Sequence, residues 1–240
     1  MQAVNTSAQL TVVIPCLDEA GSIGAVVGRL RALLDPAGDQ LVVVDNGSRD
    51  GTAVVARAAG ASVVTEPRRG YGRACQAGAA AAPAGSVLLF LDGDGADDPG
   101  EVRRVLAPVL DGRADLSVGV RRRRAAGAMT LAQAGGNCVA CAVISLLTGA
   151  PVSDLGSMRA IPASRLRELD MRSRTYGWAT EMTVKSLRAG YRYAEVPVRH
   201  ERRAAGRSKV SGRPLAAARA GARIVWTAVR LSRWRPSQAG

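Results

Sequence analysis

Val87-Leu88-Leu89-Phe90-Leu91-Asp92-Gly93-Asp94 is the stretch on which the fold turns. Its five apolar residues read as a buried strand, and the two carboxylates, one residue apart, fall at that strand's carboxyl end. Carboxylates so placed can hold a divalent cation, because hard cations take oxygen ligands and magnesium commonly combines one or two carboxylates with substrate phosphates. Upstream, Leu41-Val42-Val43-Val44 runs in the same way into Asp45-Asn46-Gly47-Ser48-Arg49-Asp50-Gly51-Thr52. One strand-then-acid junction is weak evidence. Two of them about 50 residues apart indicate a nucleotide-binding α/β sheet with its ligand at the strand ends.

Strand and helix signals alternate outward from these two points. Strands are expected at Leu10 to Pro15, Leu41 to Val44, Ser62 to Thr65, Val87 to Leu91 and Asp115 to Val120. Helices are expected at Ser22 to Leu34, Gly51 to Ala59, Gly72 to Ala82 and Pro99 to Leu110, the last with proline in its first turn. Regular alternation with short connections predicts a mostly parallel sheet covered by helices on both faces. Beyond residue 120 the pattern changes. Met129 to Leu147 and Trp178 to Ala189 read as helices, Met158 to Ile161 and Tyr191 to Arg199 as strands, and Pro214 to Trp234 as a last long helix.

The 240 residues suffice for one α/β domain with an added C-terminal piece. Charge divides the chain unevenly: residues 1–100 carry 7 basic and 11 acidic side chains, residues 101–240 carry 26 and 9. The first part therefore reads as the metal and nucleotide half, and the second as built to meet anions. Aromatic residues make up only 3%, which argues against a base-stacking nucleic-acid surface, and acidic strand ends would repel phosphate unless metallated. No nucleic-acid partner is expected. The four cysteines read as buried, reduced thiols, Cys138 and Cys141 having neither a second pair nor clustered histidine beside them. With no signal-peptide pattern and no uncharged apolar stretch of spanning length, the expectation is a cytoplasmic protein, soluble or surface-bound.

Several side chains are candidates for chemistry. Glu19, just past the first strand, can accept hydrogen bonds from a ribose or base, or simply favour a helix N-terminus. Asp45 ends its strand directly, whereas Asp50-Gly51-Thr52 shapes the turn and caps the next helix. In the run Arg121-Arg122-Arg123-Arg124, Arg121 lies nearest the strand and is expected to point into the site. Ser153-Asp154-Leu155-Gly156-Ser157-Met158-Arg159 sets an acid and an arginine between apolar stretches, and Tyr176-Gly177-Trp178 with Glu181 brings aromatic surface beside a carboxylate. Gly206-Arg207-Ser208-Lys209 is a basic loop suited to closing over phosphates. His200, the single histidine, reads as a strand end, so histidine-based nucleophilic catalysis is not expected.

Taken in order, Ile14-Pro15-x-x-Asp18-Glu19, Val44-Asp45-Asn46-Gly47-Ser48-x-Asp50-Gly51-Thr52, Asp92-Gly93-Asp94 and the late Gly206-x-Ser208-Lys209 resemble family 2 glycosyltransferases of the GT-A fold. Within them the chain is most similar to the dolichol-phosphate mannose synthase branch, whose acceptors are polyprenyl phosphates. The resemblance spans about residues 10–212, and Asp154 to Ile161 and Thr175 to Trp178 strengthen the branch assignment. It implies a Rossmann-like, mostly parallel sheet, with a catalytic domain over residues 1–212 and a basic amphipathic helix and tail over residues 213–240. It also implies that Pro15, Glu19 and Asp45 contact the nucleotide of a UDP- or GDP-linked sugar. Asp92 and Asp94 would frame a magnesium or manganese ion and the diphosphate. Arg121 would meet the acceptor phosphate, and Arg203, Ser208 and Lys209 would lie over the donor. Two departures stand out. Ala134 and Gly135 occupy positions where relatives often carry an arginine, and Ala96 stands where the mannose synthases carry a glutamine, leaving Asp97 or Asp98 to substitute.

The implied reaction is inverting transfer of the sugar to a dolichyl- or undecaprenyl-type phosphate. An anionic phosphate needs little general-base help; a hydroxyl acceptor would need a base, for which Asp154 is the candidate. In the last helix Arg219, Arg223, Arg230 and Arg233 fall on one stripe, with Ile224, Ala228 and Leu231 opposite and Trp226 and Trp234 flanking. Such a helix suits an anionic membrane surface on the inner face of the cell membrane, leaving any spanning helices to a partner protein. The competing readings are a soluble phosphorylated or hydroxyl acceptor and, more distantly, a basic nucleic-acid-binding module.

Overall fold

Val12, Val13 and Ile14 are wholly shielded from solvent because the strand that carries them, β1 (Leu10–Cys16), has a parallel neighbour on each side. Those neighbours are β2 (Gln40–Asp45) and β4 (Val87–Phe90), and β3 (Ser62–Thr65) extends the sheet beyond β2. The computed structural model describes residues 9–124, 131–201 and 224–236. Its sheet has seven strands in the order β3-β2-β1-β4-β6-β5-β7, where β5 is Leu116–Arg124, β6 Arg159–Pro162 and β7 Tyr193–His200. Cys16 lies beside Asp45 and Val13 beside Phe90, so the carboxyl ends of β1, β2 and β4 open on one edge.

The mostly parallel sheet expected from the sequence is present. One strand breaks the rule: β6 pairs antiparallel with both β4 and β5. A four-residue apolar run locates a strand but carries no signal of direction or neighbour, so the reversed insertion could not be read beforehand. β5 also runs four residues past its expected end, through Arg124, with an irregularity between Arg121 and Arg123 where it pairs with β7.

Alternation along the strands sends side chains to two separate cores. Val12 and Ile14 pack with Ile23, Val27 and Leu30 of α1 (Ala20–Arg31) and Val105 and Leu106 of α4 (Val102–Leu110). Val13, Val44 and Phe90 pack on the other side with Ala74 and Cys75 of α3 (Tyr71–Ala80) and Trp178 and Met182 of α7 (Trp178–Arg188). Trp178 meets Phe90 edge-on, with ring centroids 6.0 Å apart at 64°. The remaining helices are α2 (Thr52–Ala58), α5 (Leu131–Thr148), α6 (Ala163–Glu168), which the sequence reading missed, and α8, residues 224–231. Pro99, expected in the first turn of α4, starts a short 3-10 helix before it, and the Asp98 side chain caps that turn.

A third apolar cluster joins Cys141 and Ile144 of α5, Val184 of α7, and Ala228 and Leu231 of α8. Ala228 and Leu231 thus face the protein, as the amphipathic reading of this helix requires. Trp234 departs from that reading: it is partly buried against this cluster, and the Lys185 ammonium lies 5.2 Å from its ring centroid. Trp226 remains 56% exposed. Cys16, Cys75 and Cys141 are buried free thiols, as expected, but Cys138 is exposed. Among the described residues no helix is long and apolar enough to cross a membrane.

The start of β5 is tied to β7 by charge. Asp115 accepts hydrogen bonds from the Arg192 amide at 3.0 Å and from its guanidinium at 3.0 and 3.1 Å. The Arg192 contacts outweigh the cost of partial burial and hold the Asp115 carboxyl below its ordinary range. A lowered folded-state pKa contributes stability above the unfolded value, which is lost as pH falls through the folded one. Asp115→Asn should therefore be less stable than wild type at pH 6. The gap should shrink below about pH 4, as urea unfolding across pH would show.

Candidate active site

Gly93 determines how the two central carboxylates are presented. A Cβ there would lie 2.4 Å from the Cys16 sulfur, so only glycine lets the loop after β4 close onto β1. Ser22 of α1 then reaches across and donates to the Gly93 carbonyl at 2.8 Å. Asp94, buried, accepts from the Ala96 amide at 2.8 Å, which fixes the turn. Asp92 accepts from the Tyr71 hydroxyl at 3.0 Å. Burial, reinforced by the neighbouring Asp92 charge, pushes the Tyr71 phenol well above its ordinary pKa, so it is a donor throughout the neutral range.

Two hard oxygen donors at a strand end are the set that suits a magnesium-like ion whose other positions are taken by phosphate and water. Among the described residues no group of three or more His, Cys, Asp or Glu side chains is arranged to hold a metal. The acids after Asp94 are otherwise engaged. Asp98 accepts from the Gly100 amide at 3.0 Å and pairs with Arg29. Asp97 is buried, accepts from Ser157 Oγ at 2.6 Å and lies 3.3 Å from His200 Nδ1. Burial opposes the Asp97 charge, but His200 and Ser157 outweigh it and hold the carboxyl below its ordinary range. His200 does end β7 as expected; its placement against the loop after β4 was not legible, because 103 residues separate it from Asp97.

The loops after β1 and β2 are laced together beside this centre. Asp18 accepts from the Arg49 amide at 2.8 Å, and its own amide donates to Ser48 Oγ at 2.9 Å. Asp50 accepts from the Thr52 hydroxyl, the Ala20 amide at 2.9 Å and the Thr52 amide at 3.0 Å; burial works against its charge, but these bonds, the hydroxyl's first, lower its pKa. Asp45 accepts from the Ser48 amide at 3.1 Å. Glu19 occupies the N-cap position of α1 without a side-chain cap bond, while its amide donates to Thr52 Oγ1 at 2.8 Å. Pro15 is buried in β1 opposite Val44. Pro15, Glu19 and Asp45 therefore stand on the two adjoining strand ends next to the Asp92 loop. Asn46, not singled out from the sequence, holds the next loop by donating to the carbonyls of Glu66 (2.9 Å) and Arg68 (3.0 Å) and accepting from the Gly70 amide (2.7 Å).

Across the site, Arg121 and Asp154 face each other. Asp154 accepts from the Arg121 amide at 2.8 Å, from Nε at 2.7 Å and from Nη2 at 2.6 Å, a two-pronged pair with little solvent access. Burial disfavours the Arg121 charge, but Asp154 more than offsets it and raises the arginine's pKa. Beneath them Arg159 is buried, donating to the carbonyls of Gly156 (2.8 Å) and Ala179 (3.0 Å) and to Thr183 Oγ1 (2.9 Å). Glu181 does not join the site. It is buried, paired with Lys185 at 2.8 Å, and accepts from the amides of Arg172 and Ser173 at 3.0 and 2.5 Å. Arg203, Ser208 and Lys209, with Arg219 and Arg223, lie outside the described residues.

The profile described as Glycosyl transferase family 2 matches residues 11–136, the span holding every strand end just described except the Asp154 and His200 sides. The chain belongs to that family. This glycosyltransferase is 38% identical over 203 residues to an uncharacterized glycosyltransferase of Mycobacterium tuberculosis, covering 85% of this chain and 90% of the relative. It is 32% identical to a dolichyl-phosphate hexose transferase of Haloferax volcanii, covering 81% of this chain and 84% of that one. Among solved structures, glucosyl-3-phosphoglycerate synthase of Mycobacterium tuberculosis, in complex with Mn2+, UDP-glucose and phosphoglyceric acid, superposes with a TM-score of 0.76 at 26% identity. The superposition covers 99% of this glycosyltransferase and 84% of the synthase.

Removing one partner of a buried ion pair leaves the other charge uncompensated and costs about 3–5 kcal/mol. Asp154→Ala should lose stability in that range, while Asp154→Leu combined with Arg121→Met should lose less than either single change. Urea unfolding of wild type, Asp154→Ala, the two single variants Asp154→Leu and Arg121→Met, and the double variant measures the difference.

Proposed function

We propose that this glycosyltransferase moves a hexose from a nucleoside-diphosphate sugar to a polyprenyl phosphate. The observation that carries the reading is the Arg121–Asp154 pair. Asp154 is the sequence's candidate base for a hydroxyl acceptor, yet both of its oxygens accept from Arg121. A phosphate acceptor needs no such base. Its oxygen attacks the anomeric carbon, the bond from that carbon to the diphosphate breaks, and the nucleoside diphosphate leaves with the electron pair, inverting the centre.

In this reading Pro15, Glu19 and Asp45 hold the nucleoside, and Asp92 and Asp94 hold a magnesium or manganese ion against the diphosphate. A cation bound there neutralises charge on the leaving group. Arg121, its Nε and Nη2 edge fixed by Asp154, presents the rest of its guanidinium to the acceptor phosphate, a role in orientation and charge. Arg203, Ser208 and Lys209 are assigned to the donor by resemblance. The donor class and the ion are supported by the synthase complex with Mn2+ and UDP-glucose, and the acceptor by the name of the Haloferax relative.

A lipid acceptor is further supported by the outer surface. On α8 and the turn after it, Trp226, Val229, Arg230 and Arg233 are exposed and recur at helical spacing, and the Arg230 guanidinium lies 4.9 Å from the Trp226 ring centroid. On α5, which carries no charged residue, Val139 is 57% and Leu146 85% exposed. Aromatic, aliphatic and cationic groups on one helix suit an anionic lipid surface. One observation favours a soluble acceptor instead: the synthase that shares this fold was captured with phosphoglyceric acid.

Transfer from a radiolabelled panel of UDP- and GDP-hexoses separates the two readings, with undecaprenyl phosphate in anionic vesicles or phosphoglyceric acid as acceptor. Metal-dependent label in the organic phase, lost in Asp94→Ala, is the expected result. Label that forms a product only in the aqueous phase would establish the soluble acceptor.

A further inference from the structure

α3 begins at a residue the family resemblance does not assign. Tyr71 is its first residue and sends its hydroxyl 3.0 Å from Asp92 Oδ1. Its backbone has almost no freedom. Gly70 has a φ of +149°, and a Cβ on it would lie 2.2 Å from the Arg174 carbonyl oxygen. A Cβ on Gly72 would lie 2.1 Å from the Ser173 carbonyl oxygen. The glycines on either side of Tyr71 are therefore pressed against the segment before α7. Asn46 accepts from the Gly70 amide at 2.7 Å and fixes the approach from the other side. The ring itself packs against the core beneath the sheet.

A phenol so held does for Asp92 what a cation would not. It fixes one carboxylate oxygen by a directed hydrogen bond without itself bringing a positive charge to the carboxylate. An arginine in its place, as at Asp154, would compete with the metal for the same charge.

We propose that Tyr71 is a positioning residue for the metal end of the donor site, its hydroxyl holding Asp92 in the orientation that ligates the divalent cation. The inference rests on the assignment of Asp92 to the metal. Partners that orient a metal ligand in this way commonly change affinity for the ion about 10- to 100-fold when removed.

The test is Tyr71→Phe in the full chain, which removes one oxygen and keeps the ring. Mn2+ binding to the UDP-saturated protein is followed by the loss of the free-ion electron paramagnetic resonance signal, and UDP binding in EDTA by calorimetry. The expected result is Mn2+ bound about tenfold or more weakly, with UDP affinity in EDTA and the melting temperature in EDTA close to wild type. Asp92→Asn separates the inference from its premise. If Asp92→Asn weakens Mn2+ binding and Tyr71→Phe leaves it within about twofold of wild type, Tyr71 has no such role and the metal assignment stands. If neither change affects Mn2+ binding, the metal assignment fails and the inference with it. A Tyr71→Phe protein that loses UDP affinity in EDTA as much as Mn2+ affinity would show a merely structural effect, which also overturns the proposal.

Discussion

The parallel register of β1 between β2 and β4 is the constraint on which the site depends. It sets Cys16 beside Asp45 and Val13 beside Phe90, so three acidic loops leave the sheet at one edge. Parallel strands can hold that alignment only if both faces are covered, and the two apolar cores, one lined by α1 and α4 and the other by α3 and α7, meet that need. The loops are then tied to one another rather than to solvent. Asp18 and Asp50 each bridge the loops after β1 and β2, and Ser22 carries the tie on to the loop after β4. Rigid loops matter because a displacement of about 1 Å at a reacting centre is enough to lower a rate about 100-fold.

Electrostatics divide the carboxylates around the edge into two kinds. Asp154, Glu181 and Asp98 are matched with cationic side chains and organise the fold. Asp94 and Asp92 accept hydrogen bonds from the Ala96 amide and the Tyr71 phenol in and beside the turn after β4. Charge count in the sequence cannot separate these kinds, since both are acids near apolar runs.

The first half of the fold was legible because β1, β2, β3 and β4 are short apolar runs bounded by turn residues, and their ends were placed within two residues. The acids at those ends were legible for the same reason. What escaped depended on distant partners. α6 is only six residues long and lacks a full period of apolar positions. Glu181, read beside aromatic surface, is instead enclosed by Lys185 one helical turn on and by the amides of Arg172 and Ser173, whose approach shows only once the segment before α7 folds back on it. His200 and Asn46 gave no local signal, because each acts on a loop that the chain reaches only after folding.

Trp234 carries the last consequence. Its ring covers Lys185, whose ammonium also binds the carbonyls of Leu169 and Asp170 and pairs with Glu181. Glu181 fixes the Ser173 amide, the Ser173 carbonyl abuts Gly72, and Gly72 follows the tyrosine that touches Asp92. A continuous line of packed and hydrogen-bonded groups thus joins the turn after α8 to the carboxylates at the strand ends. Losing the Trp234 ring would therefore strip the cover from an enclosed ammonium, and the loosening would begin at the footing on which the first turn of α3 is set.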